Sequence, residues 1–326
     1  MDLSVNYLGL KLKNPIIIGS SGLTNSVDKI INLEKNGAAA VVLKSLFEEQ
    51  IAMEAEVEAS KNEFDYPEAI DYIKAYSKQN SIGNYLELIQ KAKSAVKIPV
   101  IASINCITSG KWIDFAQKIE QAGADAIEIN VSLLPSDSDK TSEKNEKIYF
   151  EITEKLKALI KIPIALKMSH YSAGLANLIK KLSWTKHIDS FVLFNRYYSP
   201  DIDIDNLKIT SSTVFSSPND IATSLRWVVL LSEEIETDIA ATTGIHSGKD
   251  VIKQLLAGAN ATQIVSTIYE KGPKYINTIL DDIQKWMQKN NYEKIDDFRS
   301  KIHYEKNINV NVFERIQFMK HFGSIE

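Results

Sequence analysis

Eight short apolar runs recur along the chain, and each is followed by polar residues and then by a longer segment with helical spacing. Runs of this length, rich in β-branched residues or alanine, are typical of strands that are buried on both faces. They occupy residues 15–21, 38–45, 99–105, 126–132, 163–169, 190–196, 238–244 and 261–267. Strands that alternate with helices form a parallel sheet with helices on its outer side. The pattern therefore restricts the chain to a small set of α/β folds.

Within this class, eight consecutive units match a closed barrel more simply than an open doubly wound sheet. No Gly-x-Gly-x-x-Gly follows the first run, as a dinucleotide-binding open sheet would have. A length of 326 residues allows two domains, yet barrels of this size are commonly one domain. We predict an α/β fold, a (β/α)8 TIM barrel, as a single domain over residues 1–326. The polar tail from Asn290 is predicted to pack outside the barrel as a helical tail.

Composition narrows the function. The chain has 38 Lys and Arg against 42 Asp and Glu and a net charge of −4, which predicts no nucleic-acid partner. Its one cysteine, Cys106, cannot form an internal disulfide or hold an iron–sulfur cluster, so redox chemistry would need an organic cofactor or a partner. Without a signal peptide or a long apolar stretch, we expect a cytoplasmic protein with no membrane contact. We also predict no metal site, and interpret the alternating segment 201–205 as an exposed β-excursion.

Polar residues close most of the runs, at the end where a barrel carries its active site. They are Ser20-Ser21-Gly22, Lys44-Ser45, Ser103 and Asn105, Asn130 and Ser132, Lys167, Asn195-Arg196, Thr242-Thr243-Gly244 and Ser266-Thr267. A lysine that points inward loses hydration unless an anion or another acceptor compensates. Lys44 and Lys167 together indicate an anionic or electron-rich ligand. The alternative is that both emerge into solvent beyond the strand ends.

The loops after the seventh and eighth runs carry small hydroxyl residues, at 242–248 and 265–267. In barrels, this is the usual place for a phosphate, which backbone amides hold. Such residues also cap helices in proteins that bind no phosphate, so their position is the stronger indication.

These motifs resemble those of the dihydroorotate dehydrogenases, which are FMN-containing (β/α)8 barrels. The similarity extends over nearly the whole chain, with an Asn-Pro opening, a Lys-Ser pair, an Asn-x-x-Gly-x-x-Asn-like loop, a Glu-x-Asn-x-Ser strand and a Gln-Ile-x-x-Thr end. The segments are 8–15, 20–22, 44–45, 80–84, 128–132, 243–250, 255–259 and 263–267. The collinear order supports the barrel and implies FMN.

The resemblance assigns roles to individual residues. It implies that FMN contacts Ser21, Lys44, Ser45, Asn130, Lys167, Thr243, Gly244, Val265 and Ser266, the last four at its phosphate. Substrate would be bound by Lys44, Asn80, Asn130 and Asn195. Lys167 would stabilise the negative charge of the reduced flavin. Ser132 and Lys167 are the predicted catalytic residues.

The sequence departs from the family where the catalytic base belongs. The family has Cys or Ser directly after the serine of Asn-x-Ser, whereas this chain has Leu133, which cannot accept a proton. Either Ser132 or Ser136 takes over, or the substrate differs, or C–H cleavage is slow. Residues 213–217 also replace a glycine-rich family segment and are expected to crowd the flavin. Val265 replaces a family glycine at the phosphate.

The resemblance implies oxidation of dihydroorotate to orotate in pyrimidine biosynthesis, with hydride transfer to FMN and a small-molecule substrate. It further implies a homodimer, with fumarate, NAD through an iron–sulfur electron-transfer partner, or another compound as acceptor. Two alternatives stay open. One is a related flavin oxidoreductase for another small cyclic amide or acid, and the other is a non-catalytic FMN-binding homologue.

Overall fold

The structure is a computed structural model that describes residues 1–47, 67–105, 113–131, 133–197, 199–211 and 213–302, with the side chains of 67–80 and 113–114 outside the description. The strands are β1 Val5–Tyr7, β2 Leu10–Leu12, β3 Ile16–Ile18, β4 Ala40–Val42, β5 Leu46–Phe47, β6 Val100–Asn105, β7 Ala126–Asn130, β8 Ile164–Met168, β9 Ser190–Leu193, β10 Pro200–Asp203, β11 Lys208–Ser211, β12 Asp238–Thr242 and β13 Ala261–Ile264. The helices are α1 Val27–Lys35, α2 Pro67–Ala95, α3 Ile113–Gln121, α4 Ser142–Lys157, α5 Leu175–Trp184, α6 Ile221–Leu231, α7 Gly248–Leu256, α8 Ser266–Lys271 and α9 Tyr275–Lys289.

Eight strands in the described part of the chain form a closed parallel barrel. Their order is β3, β4, β6, β7, β8, β9, β12, β13 and back to β3. Each of the eight predicted runs contains one of these strands, so the predicted (β/α)8 fold is confirmed. The central residues of the strands are almost all buried because the helices cover the outer face of the barrel.

Helices follow the barrel strands, as the segments with helical spacing predict. The charged segment at 140–147 enters α4, whose first turn is capped by the Thr141 hydroxyl accepting from the Lys144 amide. One prediction is wrong. Residues 80–84, expected as a substrate-binding loop, lie inside the long helix α2. This segment has a single glycine, which a helix tolerates, and no proline.

The described tail packs against the outside of the barrel. Asp2 forms a bridge with Lys294, and the Phe298 ring lies 4.9 Å from that of Trp286 on α9. Residues 303–326 lie outside the described residues, so the single domain with a helical tail stays a prediction. Within the described ranges, no helix combines the length and apolar character needed to cross a membrane.

Between β9 and α6 the chain leaves the barrel as an antiparallel hairpin of β10 and β11, the excursion predicted at 201–205. Ile202 pairs directly with Ile209, so their side chains lie on one face. Ile202, Ile204, Leu207 and Ile209 are 66–87% exposed. The described structure therefore leaves this apolar face in solvent.

Candidate active site

A cavity of about 380 Å³ opens at the carboxyl ends of the barrel strands. Asn195 lines this cavity, and so do all nine residues predicted to contact the cofactor: Ser21, Lys44, Ser45, Asn130, Lys167, Thr243, Gly244, Val265 and Ser266. The nine come from six different strands or the loops that follow them, because a barrel brings all its strand ends to one mouth. The structure therefore assembles residues that are more than 240 positions apart in sequence.

Lys167 is held from below by a buried acid and an amide. Its Nζ lies 3.6 Å from Glu128 Oε1 and 3.5 Å from Gln263 Oε1. Gln263 Nε2 donates to the other Glu128 oxygen at 2.6 Å. The Glu128 side chain is 1% exposed and that of Lys167 is 13% exposed. The lysine therefore balances the buried carboxylate and presents its ammonium group at the cavity floor.

Two further elements of the predicted site meet above this floor. The Asn195 side-chain amide donates to Asn130 Oδ1, so the ends of β7 and β9 present a joined amide pair. Lys44 follows β4, is exposed and lines the cavity. Of the two predicted lysines, Lys167 is thus fixed by a buried acid, and Lys44 lies exposed at the cavity.

A chain of hydroxyl groups forms the wall near Lys44. Ser45 Oγ lies 2.9 Å from Ser20 Oγ and 2.7 Å from Ser103 Oγ. Ser103 stands between the β4–β6 and β5–β6 pairings. There the Tyr85 hydroxyl accepts from the Ser103 amide at 2.7 Å and donates to its carbonyl at 3.0 Å. A side chain thus satisfies backbone groups that a neighbouring strand normally pairs.

The loop after β12 turns sharply beside the cavity. Thr243 and Gly244 have φ values of 75° and 76°. A Cβ on Gly244 would come within 2.1 Å of the Ile221 amide nitrogen, so only glycine allows this loop to touch the start of α6. The Thr243 hydroxyl donates to the Phe194 carbonyl at 3.3 Å. The loop is therefore fixed from two sides.

Val265 is accommodated by a glycine on the neighbouring strand. A Cβ on Gly19 would lie 2.9 Å from Val265 Cγ2, so Gly19 provides the space for this side chain. Val265 stands where the resemblance implies a family glycine. The Val265 side chain thus packs against Gly19, and Val265 lines the cavity.

The segment 213–217 reaches the cavity through Val214 and Ser216. The Ser216 amide donates to Ser266 Oγ at 3.0 Å, and Ser216 Oγ lies 3.2 Å from His246 Nε2. His246 Nδ1 lies 3.5 Å from Glu270 Oε2. A serine, a histidine and a glutamate are thus connected in series behind the predicted phosphate loops.

Some predicted residues cannot be placed in the cavity. Ser132 and Cys106 lie outside the described residues, and so does the side chain of Asn80. Leu133 does not line the 380 Å³ cavity but a separate one of about 440 Å³ beneath α4 and α5. Its carbonyl accepts from the Ser169 hydroxyl at 3.0 Å. Among these cavities, Leu133 therefore lines a different one from the other predicted site residues.

A third cavity of about 450 Å³ adjoins the first and shares Phe194, Asn195 and Arg196 with it. His170 lines it, and burial lowers the pKa of this imidazole. Arg196 donates to the carbonyls of Thr213 and Val214, which ties the two arms of the β10–β11 excursion together.

Sequence reasoning missed the support beneath Lys167 and the serine–histidine–glutamate series. Glu128 and Gln263 were noted only as letters of motifs. Each is a polar residue in the middle of an apolar run, and this is the signal that could have identified them as paired groups inside the barrel. No such signal exists for Ser216 and Glu270, because they are 54 positions apart in sequence and lie in different loops and helices.

Comparison with known proteins identifies relatives of this chain. A chain from Thermoplasma acidophilum, named dihydroorotate dehydrogenase B (NAD(+)), catalytic subunit, is 26% identical over 91% of this chain and 97% of its own length. Proteins of the same name from Thermoplasma volcanium and Methanocaldococcus jannaschii are 27% and 25% identical, over 91% and 89% of this chain and 97% and 94% of their own lengths. The family model described as dihydroorotate dehydrogenase matches residues 2–287. The chain therefore belongs to the dihydroorotate dehydrogenase family.

Proposed function

We propose that this protein oxidises dihydroorotate to orotate with FMN as its cofactor. One observation carries the proposal: a single cavity at the barrel mouth joins Lys167 on its buried acid, the Asn130–Asn195 pair and the phosphate-type loops. This combination suits a ligand with a polar ring and an anionic tail. Family membership narrows the ligand to a flavin and the substrate to dihydroorotate.

The residues present fit FMN. The cavity volume of about 380 Å³ lies within the range of ~300–1,000 Å³ that is usual for ligand sites. At the phosphate end, the amides of Gly244, Val265 and Ser266 donate to no acceptor among the described residues. Val265 and Ser266 both line the cavity. Unpaired backbone donors beside a cavity favour an anionic group.

FMN, when bound, supplies a ring that accepts a hydride and becomes negatively charged. The role of the protein is electrostatic and geometric. Lys167 holds positive charge at the cavity floor, and Glu128 and Gln263 fix its position, so it needs no reorganisation during reaction. The Asn130–Asn195 pair offers amide donors and acceptors to a cyclic amide. Lys44 at the rim suits the carboxylate of such a substrate.

We assign no residue as the acceptor of the substrate proton. Leu133 has no acidic or basic group and lines another cavity. This favours, as a second candidate function, a flavin oxidoreductase of the same family for another small cyclic amide or acid. The two candidates share the flavin and differ in which compound reduces it.

The test is anaerobic reduction of the purified full-length protein. We expect a yellow protein whose flavin absorbance disappears when dihydroorotate is added, with orotate formed in equal amount. Asn195→Ala should slow reduction and retain flavin, while the hairpin variant Thr210→Ala, remote from the cavity, should behave as the wild type. A colourless protein that binds no added FMN would refute both candidates. A flavin that dihydroorotate does not reduce but another dihydropyrimidine does would select the second.

The names of the relatives specify NAD(+) and a catalytic subunit, which supports a partner subunit for this chain as well. A chain with one cysteine cannot supply the thiolates of an iron–sulfur cluster, so a cluster on the route to NAD would belong to the partner. We therefore expect the isolated chain to oxidise dihydroorotate with an artificial dye and not with NAD.

We also propose that the apolar face of the β10–β11 hairpin is covered in a homodimer. An isolated two-stranded hairpin is marginally stable in water, and four exposed aliphatic side chains on this hairpin and its turn form a patch that a second copy would bury. The hairpin lies outside the barrel, so a second copy can pack there and leave the cavity open.

A further inference from the structure

We propose that Ser216, positioned by His246 and Glu270, binds the phosphate of FMN, and that it does so when His246 is protonated. This inference rests on the proposed function, because it concerns the cofactor of the same cavity. It assigns to Ser216 a phosphate contact made through its hydroxyl group and controlled by His246.

The position of Ser216 is fixed by three contacts. Its amide donates to Ser266 Oγ, which places it against the first residue of α8. Its hydroxyl faces His246 Nε2 at 3.2 Å, and it lines the same cavity as Gly244, Val265 and Ser266. Ser216 is 8% exposed and His246 is 6% exposed, so both are largely withheld from bulk water. The serine thus stands between the imidazole and the place of the phosphate.

Most other hydroxyl groups near the predicted phosphate position already donate a hydrogen bond to a protein acceptor. The Thr243 hydroxyl donates to the Phe194 carbonyl, and the Thr267 hydroxyl donates to the Ile245 carbonyl at 2.6 Å. Ser266 accepts from the Ser216 amide and keeps its own proton for a ligand. A hydroxyl has one proton to give. Whether Ser216 can also give one to phosphate therefore depends on the histidine.

The protonation state of His246 decides the direction of that hydrogen bond. Glu270 next to Nδ1 favours a proton on Nδ1, so in the neutral ring Nε2 is an acceptor and takes the Ser216 proton. Ser216 then presents only lone pairs to the phosphate. In the imidazolium form, Nε2–H donates to Ser216 Oγ, and the serine proton is free for the phosphate oxygen. Phosphate binding should therefore draw a proton onto His246.

The charges around the imidazole agree with this coupling. From α8, Glu270 faces Nδ1, and Lys271 donates to the His246 carbonyl at 3.4 Å. From α7, Asp250 accepts from the His246 amide at 3.2 Å and is itself paired with Lys253. Only Glu270 meets the ring itself among these groups. A phosphate would add a second negative charge on the opposite side of the ring.

The experiment compares FMN binding by flavin-stripped, full-length wild type and Ser216→Ala, measured from flavin fluorescence at about pH 6 and about pH 8.5. We expect the variant to bind FMN about tenfold more weakly at the lower pH, the usual effect of losing one hydrogen bond to a charged group. At the higher pH the ratio of the two dissociation constants should fall towards one.

Three controls isolate the phosphate contact. Riboflavin, which lacks the phosphate, should bind the wild type and Ser216→Ala equally. Ser217→Ala, at the exposed neighbouring residue, should bind FMN with the same dissociation constant as the wild type at both pH values. His246→Gln carries an amide that donates to Ser216 at every pH, so it should bind FMN more tightly than the wild type at the higher pH.

The outcomes separate the two proposals. A Ser216→Ala ratio near one at both pH values, with tight FMN binding, overturns the assignment of Ser216 alone. If that variant does not fold, weaker FMN binding by His246→Gln at the higher pH overturns it instead. A wild-type protein that binds neither FMN nor riboflavin overturns the proposed function and the inference with it.

Discussion

Removing the Lys167 ammonium group should destabilise the protein as well as slow the reaction, because Glu128 loses its counter-charge. The Glu128 side chain is 1% exposed, and its Oε1 has Lys167 Nζ at 3.6 Å as its charged neighbour. Breaking a buried ion pair from one side usually costs ~3–5 kcal/mol. The long separation and the remaining bond from Gln263 at 2.6 Å place our expectation for Lys167→Ala at the lower end, ~3 kcal/mol.

The matched variant removes the charge that is left behind. Glu128→Gln alone should cost ~1 kcal/mol, because Lys167 keeps access to the cavity. The double variant Lys167→Ala/Glu128→Gln should then cost ~2 kcal/mol rather than the ~4 kcal/mol of an additive pair, a coupling within the usual range for residues in contact. Flavin reduction should be slow in both lysine variants, since neither restores positive charge at the cavity floor.

The assay is urea unfolding of the flavin-free proteins, followed by circular dichroism, since bound cofactor would add its own stabilisation. The reasoning is refuted if the double variant is as unstable as the sum of the single variants to within ~0.5 kcal/mol. It is refuted equally if Lys167→Ala is as stable as the wild type. If the double variant reduces flavin at the normal rate, Lys167 has no electrostatic role in the reaction, and its ion pair with Glu128 contributes to stability alone.

Two further predictions concern regions outside the cavity floor. Tyr85→Phe should cost ~1–3 kcal/mol in urea unfolding, because the buried amide and carbonyl of Ser103 both lose their partner, whereas Tyr171→Phe, at a residue 43% exposed, should cost little. Ile209→Asp should convert a dimer into monomers in sedimentation or light scattering, and Thr210→Asp, one residue along on the opposite face, should not. A wild-type protein that is monomeric at high concentration, or two variants with equal effects, would contradict the assignment of the hairpin face.

Barrel topology was predictable from sequence because buried parallel strands leave a strong local pattern. The eight apolar runs and the hairpin at 201–205 needed no knowledge of distant contacts. The meeting of Lys44, Asn130 and Thr243 in one cavity follows from the same topology, because every strand end points to one mouth. Where the barrel topology alone positions a residue, the order of the strands in the sequence is enough to predict its place.

The prediction was weaker where side chains choose partners across the barrel. Glu128 and Gln263 are 135 positions apart, and no local pattern indicates that they bind each other beneath Lys167. The segment at 80–84 was assigned from a family loop, yet it lies inside α2, since its residues favour helix when no loop contacts oppose it. Gly244→Asp, a natural sequence-based test of the phosphate loop, would collide with the Ile221 backbone, so its effect could not be attributed to phosphate.

The bond from Arg196 to Thr213 and Val214 has a consequence for how this protein can diverge. These bonds join the two ends of the excursion, and Gly244 packs against the start of α6 just beyond it. The chain therefore returns to the barrel at the same point, whatever the length or sequence of the excursion. Lengthening a loop whose ends are already held costs only ~0.6 kcal/mol for each doubling. The hairpin is therefore a replaceable appendage, and we expect insertions, deletions and exchanges of oligomeric contacts to collect there while the catalytic barrel stays the same.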